Sequence, residues 1–177
     1  MIQIQPFGID KRLGIAYNDA MSRAKSGEWV TLMDYDANFI TPQSILHVHN
    51  YTQMFPDAGI FTCYTNRIHP LNKWQLYNDK LSEDTDIKNH IPIARSLEKN
   101  LYQVTELTGV ISGFCMVVKR ETWEQVKFAE HLLCLGVDND FSRRVLALGK
   151  KILRMDGIYA FHNYRIENGH TNKSHLQ

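Results

Sequence analysis

TLMDYDAN, residues 31–38, is the stretch on which the reading of the fold turns. The apolar run from Trp29 to Met33 reads as a buried strand, and two aspartates one residue apart, Asp34 and Asp36, follow it. Carboxylates at the end of a buried strand are costly, because like charges repel and burial disfavours the ionised form. A divalent cation, or a reaction that needs one, offsets that cost.

Outward from this strand the chain alternates helical and extended patterns. Upstream, residues 2–7 alternate as a short strand closed by Pro6 and Gly8. Leu13, Ala16, Tyr17, Ala20, Met21 and Ala24 then fall at the i, i+3, i+4 spacing of an amphipathic helix over residues 11–25, stopped at Ser26-Gly27. Downstream, Thr41-Pro42 reads as the cap and first turn of a helix that ends before Pro56. Residues 59–65 read as a strand and 93–103 as a helix. Between them, residues 66–89 are polar, with the acidic run SEDTD at 82–86, and read as a mobile excursion placed to cover a site. Residues 110–119 read as a long strand holding Ser112-Gly113, and 121–128 as a short helix. Residues 138–148 read as a helix ended by Gly149, with 151–155 and 158–162 as closing strands and a polar tail after Arg165. Strands alternating with helices, without internal repeats, predict one α/β domain over residues 1–177.

Composition narrows the function classes. The 177 residues suit one domain with a sizeable core, and 44% hydrophobic with 22% charged residues are ordinary globular values. A formal net charge of +1 recommends neither nucleic acid nor an anionic membrane as a partner. No apolar run approaches the ~20 residues needed to span a bilayer, and MIQIQ at the start is no signal peptide. Cys63, Cys115 and Cys134 show no CxxC spacing and read as reduced core or near-core residues, so the expected location is the cytoplasm.

Asp34 and Asp36 admit three readings. They are loop-entry residues, with Asp36 and Asn38 forming Asx-turns. Or they are the nucleophile and general acid of a haloacid dehalogenase-type phosphatase, whose pattern wants Thr or Val where Asn38 stands. Or they are a DxD pair holding the divalent ion that neutralises a sugar nucleotide's diphosphate. The flanking sequence favours the third. LGIAYNDAMSRAKSGEWVTLMDYDAN resembles the segment of family 2 glycosyltransferases in which a helix and a Gly-Glu turn lead into the DxD strand. GVISGFCMVVKRETW is similar to that family's acceptor-side strand, GVDNDFSRRVLALGKKI to the helix bearing its ED motif, and FHNYR to its closing histidine segment. These segments lie in the family's order within residues 10–65 and 108–165.

The resemblance implies a GT-A fold, a single α/β domain with a mixed, mostly parallel sheet flanked by helices. It also implies inverting, metal-dependent transfer of a sugar from a nucleotide-sugar donor, foremost a UDP-sugar, to an acceptor hydroxyl of unknown identity. Asp36 and His162 would hold Mn²⁺ or Mg²⁺, and Asp34 would face the ribose or support the metal. Asp138 would be the general base and Asp140 its support, with Arg143 and Arg144 in reach of phosphate or Asp140. Ser112 and Gly113 would let the backbone approach the sugar or acceptor, Trp123 would floor the acceptor, and Tyr164 with Arg165 would close over the diphosphate. Each residue has a plainer alternative. His162 could be a half-buried strand histidine, Asp138 a helix N-cap, Ser112-Gly113 a strand bulge, Trp123 a core residue and Arg165 a surface ion-pair partner.

The chain departs from the family pattern at three places. Only 33 residues precede Asp34, where the family normally has a further strand of Ile-Ile-Pro type and its helix. Val137 stands where an acidic residue normally precedes the catalytic aspartate, and a helix arginine is replaced around Ala16-Tyr17-Asn18. These departures predict a minimal domain whose nucleoside pocket is built differently or completed by a partner chain. They also predict a sheet edge that a homo-oligomer would cover. The alternative they raise is a binding module that keeps a metal and diphosphate site without turnover.

Overall fold

The computed structural model describes residues 2–164. Arg165, expected at the diphosphate, lies outside the described residues. The elements run β1 (Ile2–Ile4), α1 (Leu13–Ser22), β2 (Trp29–Met33), β3 (Ala37–Phe39), α2 (Ser44–Met54) and β4 (Ala58–Thr65). They continue with α3 (Ile87–Leu97), β5 (Val104–Leu107), β6 (Cys115–Lys119), α4 (Arg120–Val126), α5 (Val137–Ala147) and β7 (Lys151–His162). Short 3₁₀ turns punctuate the connections.

Six strands lie in the order β1-β2-β6-β4-β7-β3, and β5 adds to β7. β1, β2, β4 and β7 share one direction; β3, β5 and β6 run against it. The result is the expected mixed, mostly parallel open sheet in an α/β layer structure. β7 is its longest member, with β4 along one edge and with β5 (residues 152–155) and β3 (residues 160–162) on the other.

Both sheet faces are covered, which explains why the central strands read as unbroken apolar runs. Along β2, Val30 and Leu32 point into one core with Tyr17, Met21, Phe141 and Val145, under α1 and α5. Trp29 and Met33 point into the other, with Val48, Tyr51, Phe61 and Met155, under α2. Phe141 is fully buried and stacks on Phe128 with ring centroids 4.0 Å apart. Truncation of such a ring costs about 3–5 kcal/mol.

Several expectations shift. Two short strands, β3 and β5, fall in stretches read as connections between elements. The helix expected from residue 93 begins at Ile87, where the Asp86 carboxylate caps it by accepting from Lys88 N at 3.0 Å. It runs on through Pro92 and ends at Leu97, short of the expected residue 103. The two closing strands are one, β7, with a register shift against β4 between Cys63 and Tyr64. β6 is half the expected length: Ser112 and Gly113 donate their backbone N–H groups to side chains, Gln75 and Asp138, instead of a neighbouring strand. Residues 66–89 are no loose excursion, because Asn66, Arg67, Ile68, Asn72, Gln75 and Ser82 are all buried. Among the cysteines, Cys63 and Cys115 are buried but Cys134 is exposed, correcting its expected core placement. Among the described residues, no helix is long and apolar enough to cross a membrane.

Candidate functional site

β2 and β7 run in the same direction, so their carboxyl ends emerge at one edge of the sheet, where open α/β sheets carry their sites. Two strands, β6 and β4, separate them. After β2, residues 34–36 cross over that edge, and β3 then pairs with β7 in the register Ala37↔His162. Asp34 N donates to the Phe114 carbonyl (3.1 Å) and Asn163 N to the Asp36 carbonyl (3.0 Å), pinning both ends of the crossing. This short unexpected strand is what carries Asp36 to His162.

A cleft of about 650 Å³ opens there. Asp34, Asp36 and His162 line it together with Asp138, Ser112 and Gly113. Phe7, Leu71 and Leu135, all largely exposed, form an apolar rim. A charged floor with an apolar rim is the usual composition of a small-molecule site.

His162 Nε2 lies 3.3 Å from Asp36 Oδ1 and 3.9 Å from Asp34 Oδ2, and one ligand atom from each residue falls within 4.8 Å of the others. The ring is buried, stacked 5.3 Å from Phe114, and its Nδ1 sits 3.1 Å from the Arg67 carbonyl. A carbonyl only accepts, so Nδ1 carries the proton, and a neutral ring then offers its Nε2 lone pair to a metal. A hard cation about 2.1 Å from neighbouring ligands needs them roughly 3 Å apart. The His162–Asp36 spacing approaches that value, and the carboxylates are hard oxygen donors, so the three residues could hold a metal ion. Burial pushes the Asp34 carboxyl up to about 6; the His162 ring opposes this, and Asp36 and Asp138 reinforce it. A cation would relieve that repulsion.

Asp138 enters differently. Gly136, in the left-handed region at φ 84°, turns the chain into α5 and is the cap residue, so Asp138 stands inside the first turn and is not the N-cap. Its Oδ2 accepts from Gly113 N at 2.7 Å and its Oδ1 from Asn139 N at 2.8 Å. A Cβ on Gly113 would stand 3.1 Å from Tyr17 Oη and 3.2 Å from Asp138 Cβ, so those side chains would have to give by a few tenths of an ångström to admit one. Burial raises the Asp138 carboxyl above its ordinary range, against the lowering effect of the Gly113 bond. Tyr17 Oη is buried beside both carboxylate groups and makes no hydrogen bond of standard geometry. Burial first, then Asp34 and Asp138, raise its pKa well above the ordinary value, so it keeps its proton.

The cleft thus brings together Asp34, Asp36, His162, Asp138, Ser112, Gly113 and Tyr164. Asp140 lies outside its lining: its Oδ2 pairs with Arg144 at 2.6 Å, and Arg144 is tied to the Val126 and Lys127 carbonyls at the end of α4. Trp123 is a core residue, its Nε1 donating to Asn18 Oδ1 at 2.8 Å. Sequence reasoning missed the cleft roles of Tyr17, Asn139 and Cys134. Tyr17 gave no signal, because it falls on the apolar stripe of α1. Scanned against models of known protein families, the chain matches none, and no curated protein matches it.

Proposed function

We propose that this chain is a metal-dependent, inverting glycosyltransferase that moves a sugar from a nucleotide-sugar donor, a UDP-sugar in the first instance, to an acceptor hydroxyl. The observation that carries this reading is a single cleft lined both by an Asp34–Asp36–His162 cluster that could hold a cation and by a further carboxylate, Asp138. A Mn²⁺ or Mg²⁺ ion held by the cluster would neutralise charge on the departing diphosphate. Asp36 and His162 hold the donor end, and His162 is kept in the required tautomer by Arg67. Asp138 takes the proton from the acceptor hydroxyl as its oxygen bonds to the sugar's anomeric carbon. The bond from that carbon to the diphosphate oxygen breaks, and the diphosphate leaves with the electron pair. A carboxyl held above its usual range by burial is suited to that proton. The apolar rim gives the nucleoside and acceptor bodies a surface to lie on.

A binding role without turnover has one observation in its favour: both Asp138 oxygens already accept backbone N–H bonds. The two readings separate in one experiment. With UDP-sugars and Mn²⁺, Asp138→Asn should keep donor binding and lose transfer by about 10²–10⁴-fold, the range of a general base. NMR should show product of opposite anomeric configuration to the donor. Donor binding with no transfer by the unaltered protein supports the binding module; retained configuration or undiminished transfer in Asp138→Asn overturns the mechanism.

A further inference from the structure

Two buried amides in the segment first expected to be a lid make the same unusual contact. Asn66 Oδ1 accepts from His162 N at 2.8 Å while its Nδ2 donates to His162 O at 3.2 Å. Gln75 Oε1 accepts from Ser112 N at 2.8 Å while its Nε2 donates to Ser112 O at 3.1 Å. A side-chain amide presents the same C=O and N–H pair as a peptide group, so each behaves like one residue of an added strand. Both side chains are fully buried, where such pairs are strong and their loss leaves unsatisfied groups.

The two residues so gripped both line the cleft. His162 faces Asp36. Ser112 precedes Gly113, whose N–H holds Asp138 Oδ2. Each grip is itself anchored. Asn66 directly follows β4's run alongside β7, and the next residue's carbonyl, on Arg67, meets His162 Nδ1. The Arg67 side chain donates from Nε to the Tyr164 carbonyl at 2.7 Å and from Nη1 to the Ser82 carbonyl at 2.5 Å. Gln75 Nε2 also donates to Thr62 Oγ1 at 2.6 Å, and Thr62 Oγ1 donates to the Cys115 carbonyl at 2.9 Å.

The geometry points to Asn66 and Gln75 as paired positioning residues: Asn66 aims His162 at the cation cluster, and Gln75 aims the Gly113 amide at Asp138. Residues 66–75 are thus a brace for both parts of the site. The inference rests on the metal and base roles proposed above, but its test reads geometry directly. Asn66→Ala should weaken Mn²⁺ binding in the presence of UDP by about 10–100-fold by electron paramagnetic resonance, the usual effect of losing an outer support of a metal ligand. It should also alter the His162 ring ¹⁵N shifts while leaving the Gly113 amide proton in place. Gln75→Ala should move the Gly113 amide proton, as Asp138→Asn does, and leave Mn²⁺ affinity within about two-fold, well under one tenfold step of 1.4 kcal/mol. If either alanine variant does not fold, Asn66→Asp and Gln75→Glu keep the size and one acceptor oxygen and should show the same split more weakly. Both variants disturbing both readouts, or neither disturbing its own, would overturn the brace. If the unaltered protein binds no Mn²⁺, the metal reading fails, and the His162 and Gly113 resonances still decide the positioning roles.

Discussion

The cleft is lined by two differently built ends of chain. At the first, Asp36 and His162 sit beside a strand pairing, their spacing set by the Ala37↔His162 register. At the second, Asp138 sits on the first turn of a helix entered through a left-handed glycine and is held by one amide of the 110–114 loop. The first end inherits the stiffness of the sheet, so it is disabled chiefly by removing a ligand. The second depends on a loop and a bare Gly113, so changes that remove no functional group can displace it.

The contrast is open to attack in order of size. Asp36→Ala should reduce Mn²⁺ affinity, with UDP present, by more than the ~100-fold typical of losing an outer support, because it removes a direct oxygen ligand. Titration calorimetry with and without chelator checks this, and unchanged affinity would end the assignment of the cluster. Gly113→Ala removes no ligand and no base, yet its Cβ would crowd Tyr17 and Asp138. Transfer should fall with Mn²⁺ affinity unchanged, but by less than the ~10²-fold that a misplacement near 1 Å costs, because a few tenths of an ångström clear the contact. A parallel loss of metal binding would show that the two ends are not separately built.

Asp34 offers a smaller effect with a defined sign. Its carboxyl is raised to about 6 when folded, so between roughly pH 4 and 6 the folded chain holds a proton that the unfolded chain has released. Stability from this group is therefore full below that window and falls as pH rises through it. In metal-free protein, Asp34→Asn should stabilise by ~1 kcal/mol at pH 7.5, a figure discounted because a third of the side chain meets solvent, and by nothing at pH 4. Thermal melts at the two pH values decide it; an equal gain at both would remove charge as the cause. Smallest of all, a thiol reagent should modify Cys134 alone in the folded protein, and UDP with Mn²⁺ should slow it a few-fold, because Cys134 lines the cleft while Cys63 and Cys115 are buried. Rapid reaction of a second thiol would contradict that burial.

The same contrast separates what was legible in the chain from what was not. β2, β4 and the body of β7 announce themselves because strands buried on both faces must be apolar throughout. Asp34, Asp36 and His162 are readable as the polar residues that end such runs. β3 and β5 are three and four residues long, too short for any periodicity, so nothing local shows that Asp36 is delivered to His162 by pairing. Residues 110–114 look like more of β6 because their apolar content is strand-like; what breaks the strand is a pair of side-chain acceptors supplied from distant parts of the chain. Asn66 and Gln75 are invisible for the converse reason. Polar residues in a polar stretch suggest solvent, and only the fold turns them inward.

β7 also governs the order in which the molecule can be finished. It is the last described strand, and its far end supplies His162, while Asp34 and Asp36 leave the ribosome early at a synthesis rate of about 5–20 residues per second. A nascent chain can pair β1 with β2, yet it has no histidine to complete the cation cluster until β7 docks between β4 and β3. Such long-range closure is the slow kind of event in folding. A cation held at this site would recognise only the completed sheet, so it would slow unfolding far more than it hastens folding, acting as a latch on a finished structure.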